Sequence, residues 1–190
     1  PVTMTIDLHD AERRLTKRTK AIMPVHYAGR SGDLDSVYAF ASRHGLRVVE
    51  DAAHAFGTLH KQKRIGSFGD IVCFSFDGIK NITCGEGGAI ITEDKEVLKV
   101  VKDARLLAVS KDTEKRYESQ RSWEFDVVQQ GYRYHMSNLF AAIGRVQLTR
   151  LETEFKPKRQ ALARRYNEAL RKMREVTIFE DDYVDVIPHI

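Results

Sequence analysis

The sequence predicts an α/β fold, a mainly parallel sheet packed between helices, and three observations carry that prediction. A strand-helix-strand unit fills residues 21–50, two further strand-like runs follow at 70–76 and 88–92, and the last third of the chain turns helical. A strand, helix and strand of this length fit a right-handed crossover between parallel neighbours. Size and composition agree with a packed domain. The chain has 190 residues, room for one domain or for one domain and part of another. Charged residues at 31% and hydrophobic ones at 42% argue against a disordered segment, and 4 Pro with 12 Gly exclude a collagen-like repeat.

Each element has its own signal. Residues 21–27 (AIMPVHY) read as a buried strand with one conflict, because Pro24 has no N–H to give to a central ladder. Leu34, Val37, Tyr38 and Ala41 then recur at i, i+3, i+4 and i+7 on one helical face. Ser31 or Asp33 can cap that helix, and Arg43, His44 and Gly45 form a basic last turn and a stop. Residues 46–50 (LRVVE) form the returning strand. The run 70–76 (DIVCFSF) is rich in β-branched and aromatic residues, and 88–92 (GAIIT) is a shorter apolar strand. Thr92 is expected to cap a helix over about 95–108, with Glu93, Asp94 and Glu96 set against its dipole. Residues 110–124 are charged and aperiodic, which predicts an exposed loop. Ser137 opens a helix carrying Leu139, Phe140, Ile143, Val146 and Leu151, and Pro157 is expected to break or kink it. A last amphipathic helix carries Leu162, Tyr166, Ala169, Leu170 and Met173. The chain then stops on Ile-Pro-His-Ile, which reads as the start of a strand. This ending and an uncapped beginning lead us to expect the middle of a longer protein.

Several function classes find no support. No apolar run approaches the roughly 20 residues of a membrane span, and the first residues lack a basic patch followed by an apolar stretch. Cys73 and Cys84 form neither a CxxC pair nor a disulfide framework, so the default compartment is a reducing cytoplasm. Lys plus Arg number 31 against 27 Asp plus Glu, and Arg13, Arg14, Lys17, Arg18 and Lys20 lie beside Asp10 and Glu12. That pattern predicts a solvated face rather than a nucleic-acid surface. His9, His44, His60 and His189 have no metal-ligand spacing and read as surface residues, while His26 reads as a satisfied core histidine. Trp123 reads as a packing anchor, Lys115, Arg116 and Arg121 as solvated loop charges, and the Leu139, Phe140 and Ile143 stripe as core that could extend into a subunit interface. Nothing around Cys84 argues for a catalytic thiolate.

The chemistry concentrates between Val48 and Gly88. Asp51 directly follows a buried strand, and in open α/β sheets the carboxyl ends of strands border the ligand crevice. A helix N-cap would explain that position equally well. Lys80 follows the next strand, with Gly78 before it and Gly85, Gly87 and Gly88 after it. A lysine so held could form a Schiff base with a carbonyl compound, although taken alone it reads better as an ordinary surface lysine in a turn. Together with Ser75 the two acquire a common meaning. Pyridoxal phosphate chemistry needs a lysine for the aldehyde, a carboxylate at the ring nitrogen and a hydroxyl among the phosphate donors. Lys80, Asp51 and Ser75 supply one of each on neighbouring strand ends.

The segments VVEDAAHAFG (48–57), GSFGDIVCFSFDGIKNITCGEGGAIIT (66–92) and GYRYHMSNLFAAIGRVQL (131–148) resemble the DegT/DnrJ/EryC1/StrS family of sugar aminotransferases. The resemblance runs from about Thr5 to Met173 with the motifs in family order. It implies an aspartate-aminotransferase-like fold, the fold type I of pyridoxal-phosphate transferases, incomplete at both ends. Residues 1–150 would be the central part of the cofactor-binding large domain. Residues 151–190 would be a helical connection and the start of a small C-terminal domain.

Carried over position by position, the resemblance makes Lys80 the lysine that holds the cofactor and shuttles the proton, and Asp51 the acid paired with the ring nitrogen. His54 stands beside the cofactor ring, and Ser75 is a phosphate-binding hydroxyl. In the family's Gly-Tyr-Asn-Tyr-Arg-Met pattern the asparagine commonly reaches the cofactor phosphate of the partner subunit; here Arg133 takes that place, longer and more strongly charged. The family's N-terminal phosphate-cradling loop has no counterpart in this sequence, so the chain alone is expected not to complete a site. Relatives with His in place of the lysine are dehydratases, and Lys80 therefore favours transamination. The run from Asn81 to Gly88 is similar to that of members that aminate sugar C4 rather than C3. The implied reaction moves an amino group, from glutamate, to a nucleotide-linked keto-deoxysugar in a cytoplasmic homodimer with shared active sites. Its products would enter lipopolysaccharide, other surface glycans or natural products, with no nucleic-acid, membrane or metal partner. The alternatives are a sugar dehydratase and a non-catalytic regulatory or interaction protein on the same fold.

Overall fold

The structure is a computed structural model and describes residues 3–109, 127, 129–179 and 181–189. Its centre is a four-stranded sheet in the order β1 (Ala21–Ile22), β2 (Arg47–Asp51), β5 (Ile71–Ser75), β6 (Gly88–Thr92). The pairs β1–β2 and β2–β5 are parallel, and β5–β6 is antiparallel, with Val49 opposite Ile71, Asp51 opposite Cys73 and Ser75 opposite Gly88. A two-stranded ribbon, β3 (Leu59–His60) and β4 (Lys63–Arg64), sits between β2 and β5 in sequence. Gly88 permits the β5–β6 approach, since a Cβ there would lie 2.6 Å from the carbonyl oxygen of Phe74.

Pro24 resolves its conflict by leaving the ladder. Regular pairing of β1 stops at Ile22 and resumes only as an isolated bridge between Val25 and Asp51. There the Pro24 carbonyl accepts from Asp51 N at 2.9 Å and the Asp51 carbonyl accepts from His26 N at 3.0 Å. Proline keeps its acceptor, and the neighbours supply the donors.

Helix α1 (Leu8–Arg13) is short and capped by Asp7, and Arg13 and Arg14 pair with Asp10 on its exposed side. Helix α2 (Leu34–His44) follows the sequence closely: Asp33 caps it by accepting from Ser36 N, and Gly45 ends it in the left-handed conformation. It buries Leu34, Val37, Phe40 and Ala41 against Ile22, Val48, Val72 and Phe74 from one face of the sheet. Strict alternation in β2 and β5 turns Val49, Asp51, Cys73 and Ser75 to the opposite, half-buried face.

Helix α3 (Lys95–Ala104) starts on Asp94, whose carboxylate accepts from Glu96 N and Val97 N. Thr92 caps Asp94 instead, accepting its N–H at 3.1 Å, and the helix ends four residues short of Ala108. Helix α4 (Asn138–Arg150) is capped by Ser137 as expected. Pro157 neither breaks nor kinks the chain into two arms. A single π-turn over Leu151–Phe155 widens the helix, and α5 (Lys156–Leu170) restarts with the proline in its first turn, where no intrahelical N–H is needed.

One apolar stripe corrects the sequence reading. Leu139 is 79% exposed, and Phe140 and Ile143 are also open, so this stripe is not core within the chain. Leu162 and Tyr166 of α5 face outward as well. The C-terminal tail forms no strand. It folds back so that Ile187 is fully buried with Ile82 and Leu151 in a second cluster. Phe56 joins the two clusters, lying edge-on to Phe74 at 5.1 Å and to Phe76 at 5.2 Å. Trp123, Lys115, Arg116, Arg121 and the loop expected over 110–124 lie outside the described residues.

Candidate active site

The carboxyl ends of β2 and β5 place two of the expected site residues side by side. Asp51 ends β2 and Ser75 ends β5, and both line a cavity of about 230 Å³ with Met23, Val49, Ala53 and Cys73. The alternation that buries Glu50 and Phe74 forces Asp51, Cys73 and Ser75 onto this open side. Asp51 is held firmly. Its backbone is bracketed by Pro24 and His26, its Oδ1 accepts from Ala53 N at 3.1 Å, and its Oδ2 takes no hydrogen bond among the described residues. The Ser75 hydroxyl oxygen receives only the Asp77 N–H, at 3.4 Å, which leaves its proton available.

Lys80 sits at the end of a turn closed by its own N–H to the Asp77 carbonyl at 3.1 Å. The turn is built by Asp77, whose side chain accepts from Ile79 N, rather than by Gly78, where a side chain would meet open space. His54 lies within electrostatic reach of both Lys80 and Asp51. Burial pushes its imidazole below the ordinary histidine range, the Lys80 ammonium pushes the same way, and the Asp51 carboxylate opposes them. Asp51 and Ser75 thus share one cavity at the strand ends, and His54 lies within electrostatic reach of both Asp51 and Lys80.

The fifth expected residue does not line that cavity. Arg133 is exposed, bridges Leu106, and lines a groove of about 960 Å³ with Glu86, Gly87, Tyr134 and Met136, which adjoins the cavity of Asp51 and Ser75 at Cys73 and Phe74.

The sequence reading missed two residues beside Lys80. His189 is not a surface residue: it is 9% exposed, and its ring packs on that of His54 with centroids 4.0 Å apart. Burial first, then the nearby charges of His54, Lys80 and Arg159, push it down to about 4. Asn81 is 3% exposed and aims its Nδ2 at the carbonyls of His54 (3.3 Å), Phe56 (3.1 Å) and Ile187 (3.4 Å). Arg159 donates to the carbonyls of Lys80, Pro188 and His189, tying α5 to both the turn and the tail. These partners are distant in sequence, which is why no local pattern announced them. His60 is likewise drawn inward, its Nδ1 3.0 Å from the Ser31 hydroxyl.

His26 is in the core as expected but only half satisfied, its Nδ1 buried without a partner among the described residues. It is fully buried with its Nε2 2.7 Å from Glu50 Oε2. Cys84 is buried too, and that burial pushes its thiol up, away from thiolate chemistry. No group of metal-ligating side chains occurs among the described residues, and no helix there is long and apolar enough to cross a membrane.

The donor set fits a phosphorylated pyridine aldehyde. Among the described residues, Asp51, with one carboxylate oxygen unpaired, and Ser75, with its proton unused, share a cavity; His54 and His189 keep their buried Nδ1 atoms without partners and lie within electrostatic reach of Lys80. Comparison with known proteins gives the same chemistry. The chain is 43% identical over 171 residues to the spore coat polysaccharide biosynthesis protein SpsC of Bacillus subtilis, covering 90% of the chain and 44% of that protein. Among solved structures it matches PseC of Helicobacter pylori, an aminotransferase in the biosynthesis of pseudoaminic acid, with a TM-score of 0.78 and 31% identity. That match covers 90% of this chain and 43% of PseC. It also matches the pyridoxal-phosphate form of the putative sugar aminotransferase Spr1654 of Streptococcus pneumoniae, with a TM-score of 0.76, 27% identity, and coverage of 90% and 46%. The chain thus spans a little under half the length of the proteins it matches. Its fold is part of the fold type I architecture of pyridoxal-phosphate enzymes, and pyridoxal phosphate is the family's cofactor. The model of the DegT/DnrJ/EryC1/StrS aminotransferase family matches residues 1–186, and the chain belongs to that family.

Proposed function

We propose that the protein containing this chain is a pyridoxal-phosphate-dependent aminotransferase that places an amino group on a nucleotide-linked keto-deoxysugar. In this reading residues 1–150 are the central part of the cofactor-binding large domain, and 151–190 lead into a small domain. One observation carries the proposal: Asp51 and Ser75 share a cavity at adjacent strand ends, with His54 between the charges of Asp51 and Lys80. Family membership supplies the reaction class.

Bound pyridoxal phosphate supplies an electron sink for the carbanion formed as the amino group moves. Asp51 would pair with the ring nitrogen and keep it protonated. Lys80 would hold the cofactor's aldehyde carbon and, once displaced by the amino donor, would serve as the acid and base of the proton shift. The depressed His54 stays neutral at physiological pH, so it can sit beside an ammonium without adding a second positive charge. Ser75 donates to the phosphate. Arg133 opens on the adjoining groove and serves a phosphate in the partner subunit's site. The exposed apolar stripes of α4 and α5 support a homodimer, because large uncovered apolar faces mark interaction surfaces.

Glutamate as donor, amination at C4 and a role in surface-glycan or natural-product synthesis complete the proposal. The resemblance of residues 81–88 to members that aminate C4, and the polysaccharide role of SpsC, support the last two. The test is the full-length protein expressed with pyridoxal phosphate. A visible cofactor band that glutamate converts to a pyridoxamine-type band establishes the half-reaction, and 3-keto and 4-keto nucleotide sugars then decide the carbon. No band with added cofactor would favour a non-catalytic protein on this fold, and turnover of only the 3-keto sugar would reverse the C4 assignment.

A further inference from the structure

We propose that Glu50 is a positioning residue for Asp51, acting through His26 from the opposite face of β2. The inference rests on the reading of Asp51 as the partner of the cofactor's ring nitrogen. Glu50 and Asp51 are consecutive, so their side chains leave the strand on opposite faces. Glu50 is 0% exposed, an expensive place for a carboxylate unless both oxygens are satisfied. They are: Oε1 accepts from the Tyr38 hydroxyl at 2.6 Å, and Oε2 lies 2.7 Å from His26 Nε2. Tyr38 is anchored in turn, accepting the Asp70 N–H at 2.9 Å, and burial followed by Glu50 pushes its phenol well above the ordinary range.

The pair has a particular job because of Pro24. On its β5 side the end of β2 is held by a continuous ladder that pairs Asp51 with Cys73, but on the other side β1 stops at Ile22 and leaves one bridge at Asp51. Its two backbone bonds, Asp51 N to the Pro24 carbonyl and His26 N to the Asp51 carbonyl, depend on where residues 24–26 sit. The side-chain bond from His26 to Glu50 fixes that segment to the strand it brackets. It replaces the missing ladder with a clamp, and Tyr38 holds the clamp against α2. A carboxylate must be held to fractions of an ångström to meet a ring nitrogen, and such precision comes from supporting bonds of this kind.

The test uses the full-length protein and two conservative variants with opposite defects. E50D keeps the charge but is one methylene too short to span Tyr38 and His26 together. E50Q loses the charge but keeps the reach, accepting from Tyr38 and donating to an unprotonated His26 Nε2. Affinity for pyridoxal phosphate, the intensity of its visible band, and the melting temperature of the cofactor-free protein are measured for each, with wild type and D51N as references. The clamp predicts that E50D binds the cofactor about ten-fold more weakly, the equivalent of one charged hydrogen bond, and that E50Q stays within about three-fold of wild type. A role through charge alone reverses that order and overturns the proposal. A merely structural role lowers both melting temperatures with affinities unchanged, and this also overturns it. Should E50D not fold, H26N, too short in the same way from the other side, is expected to show the same loss. Wild type without a cofactor band, or D51N with undiminished affinity, would instead remove the reading on which the inference stands.

Discussion

Replacing Asn81 by alanine probes how the turn carrying Lys80 is held. The Asn81 amide is almost fully buried and its two N–H groups serve three carbonyls, on His54, Phe56 and Ile187, at 3.1 to 3.4 Å. Two N–H groups can sustain about two full bonds, worth about 1 kcal/mol each, and carbonyls left dry add about 1 kcal/mol or more. Removing Asn81 Oδ1, buried without a partner, returns part of that cost. The net expectation for N81A is a loss of about 2 kcal/mol. N81D should be worse, because a carboxylate would face the same three carbonyl oxygens with no proton to give. Urea unfolding of the full-length protein reads both as shifts in midpoint at constant slope. Because Asn81 adjoins Lys80 and grips the His54 carbonyl, N81A should also weaken pyridoxal-phosphate binding several-fold. A stability change below about 0.5 kcal/mol in N81A, or N81D no worse than N81A, would refute the hub.

Three further outcomes follow from the same geometry. His189 and His54 are held below the ordinary histidine value, so the native state binds fewer protons than the unfolded chain. Stability should therefore fall as the pH drops from about 6.5, the unfolded value, to about 4, and urea midpoints across that window should fall less steeply in H189F. G69A should destabilise by more than about 2 kcal/mol in thermal melts, from left-handed strain and the broken clamp. At that position, with φ of +103°, a Cβ would lie 2.5 Å from Glu50 Oε1 and 2.6 Å from the Tyr38 hydroxyl. I187A empties the second cluster, where Ile187 is 0% exposed, and should cost about 2–5 kcal/mol. Protection of the Leu59 amide, which donates to the Asp185 carbonyl, should fall in the same variant.

What the sequence made legible was what is local. The face of α2, its Asp33 cap and its Gly45 stop all depend on residues within one or two turns, and each appears where expected. Strand ends carrying Asp51 and Ser75 were equally readable, because short runs rich in β-branched and aromatic residues mark strands without distant partners. The conflict at Pro24 was real, and the strand stops beside it. Thr92 and Asp94 both carry capping oxygens, and only the backbone path shows that Asp94 does the capping. Pro157 looked like a breaker because its position relative to a π-turn cannot be seen in a periodicity. His189 and Asn81 escaped notice because their partners lie up to 135 residues away, as for His189 on His54. The stripe of α4 read as core because a helical periodicity shows that one face is apolar and not what, if anything, covers it.

The central claim is that Lys80 and Asp51 serve one cofactor ring. Its most direct test is borohydride reduction of the full-length protein loaded with pyridoxal phosphate, followed by peptide mass mapping in wild type and D51N. The account predicts a pyridoxyl group on Lys80 and a markedly lower yield in D51N at equal cofactor concentration. A label on another lysine, or equal labelling in D51N, would contradict it.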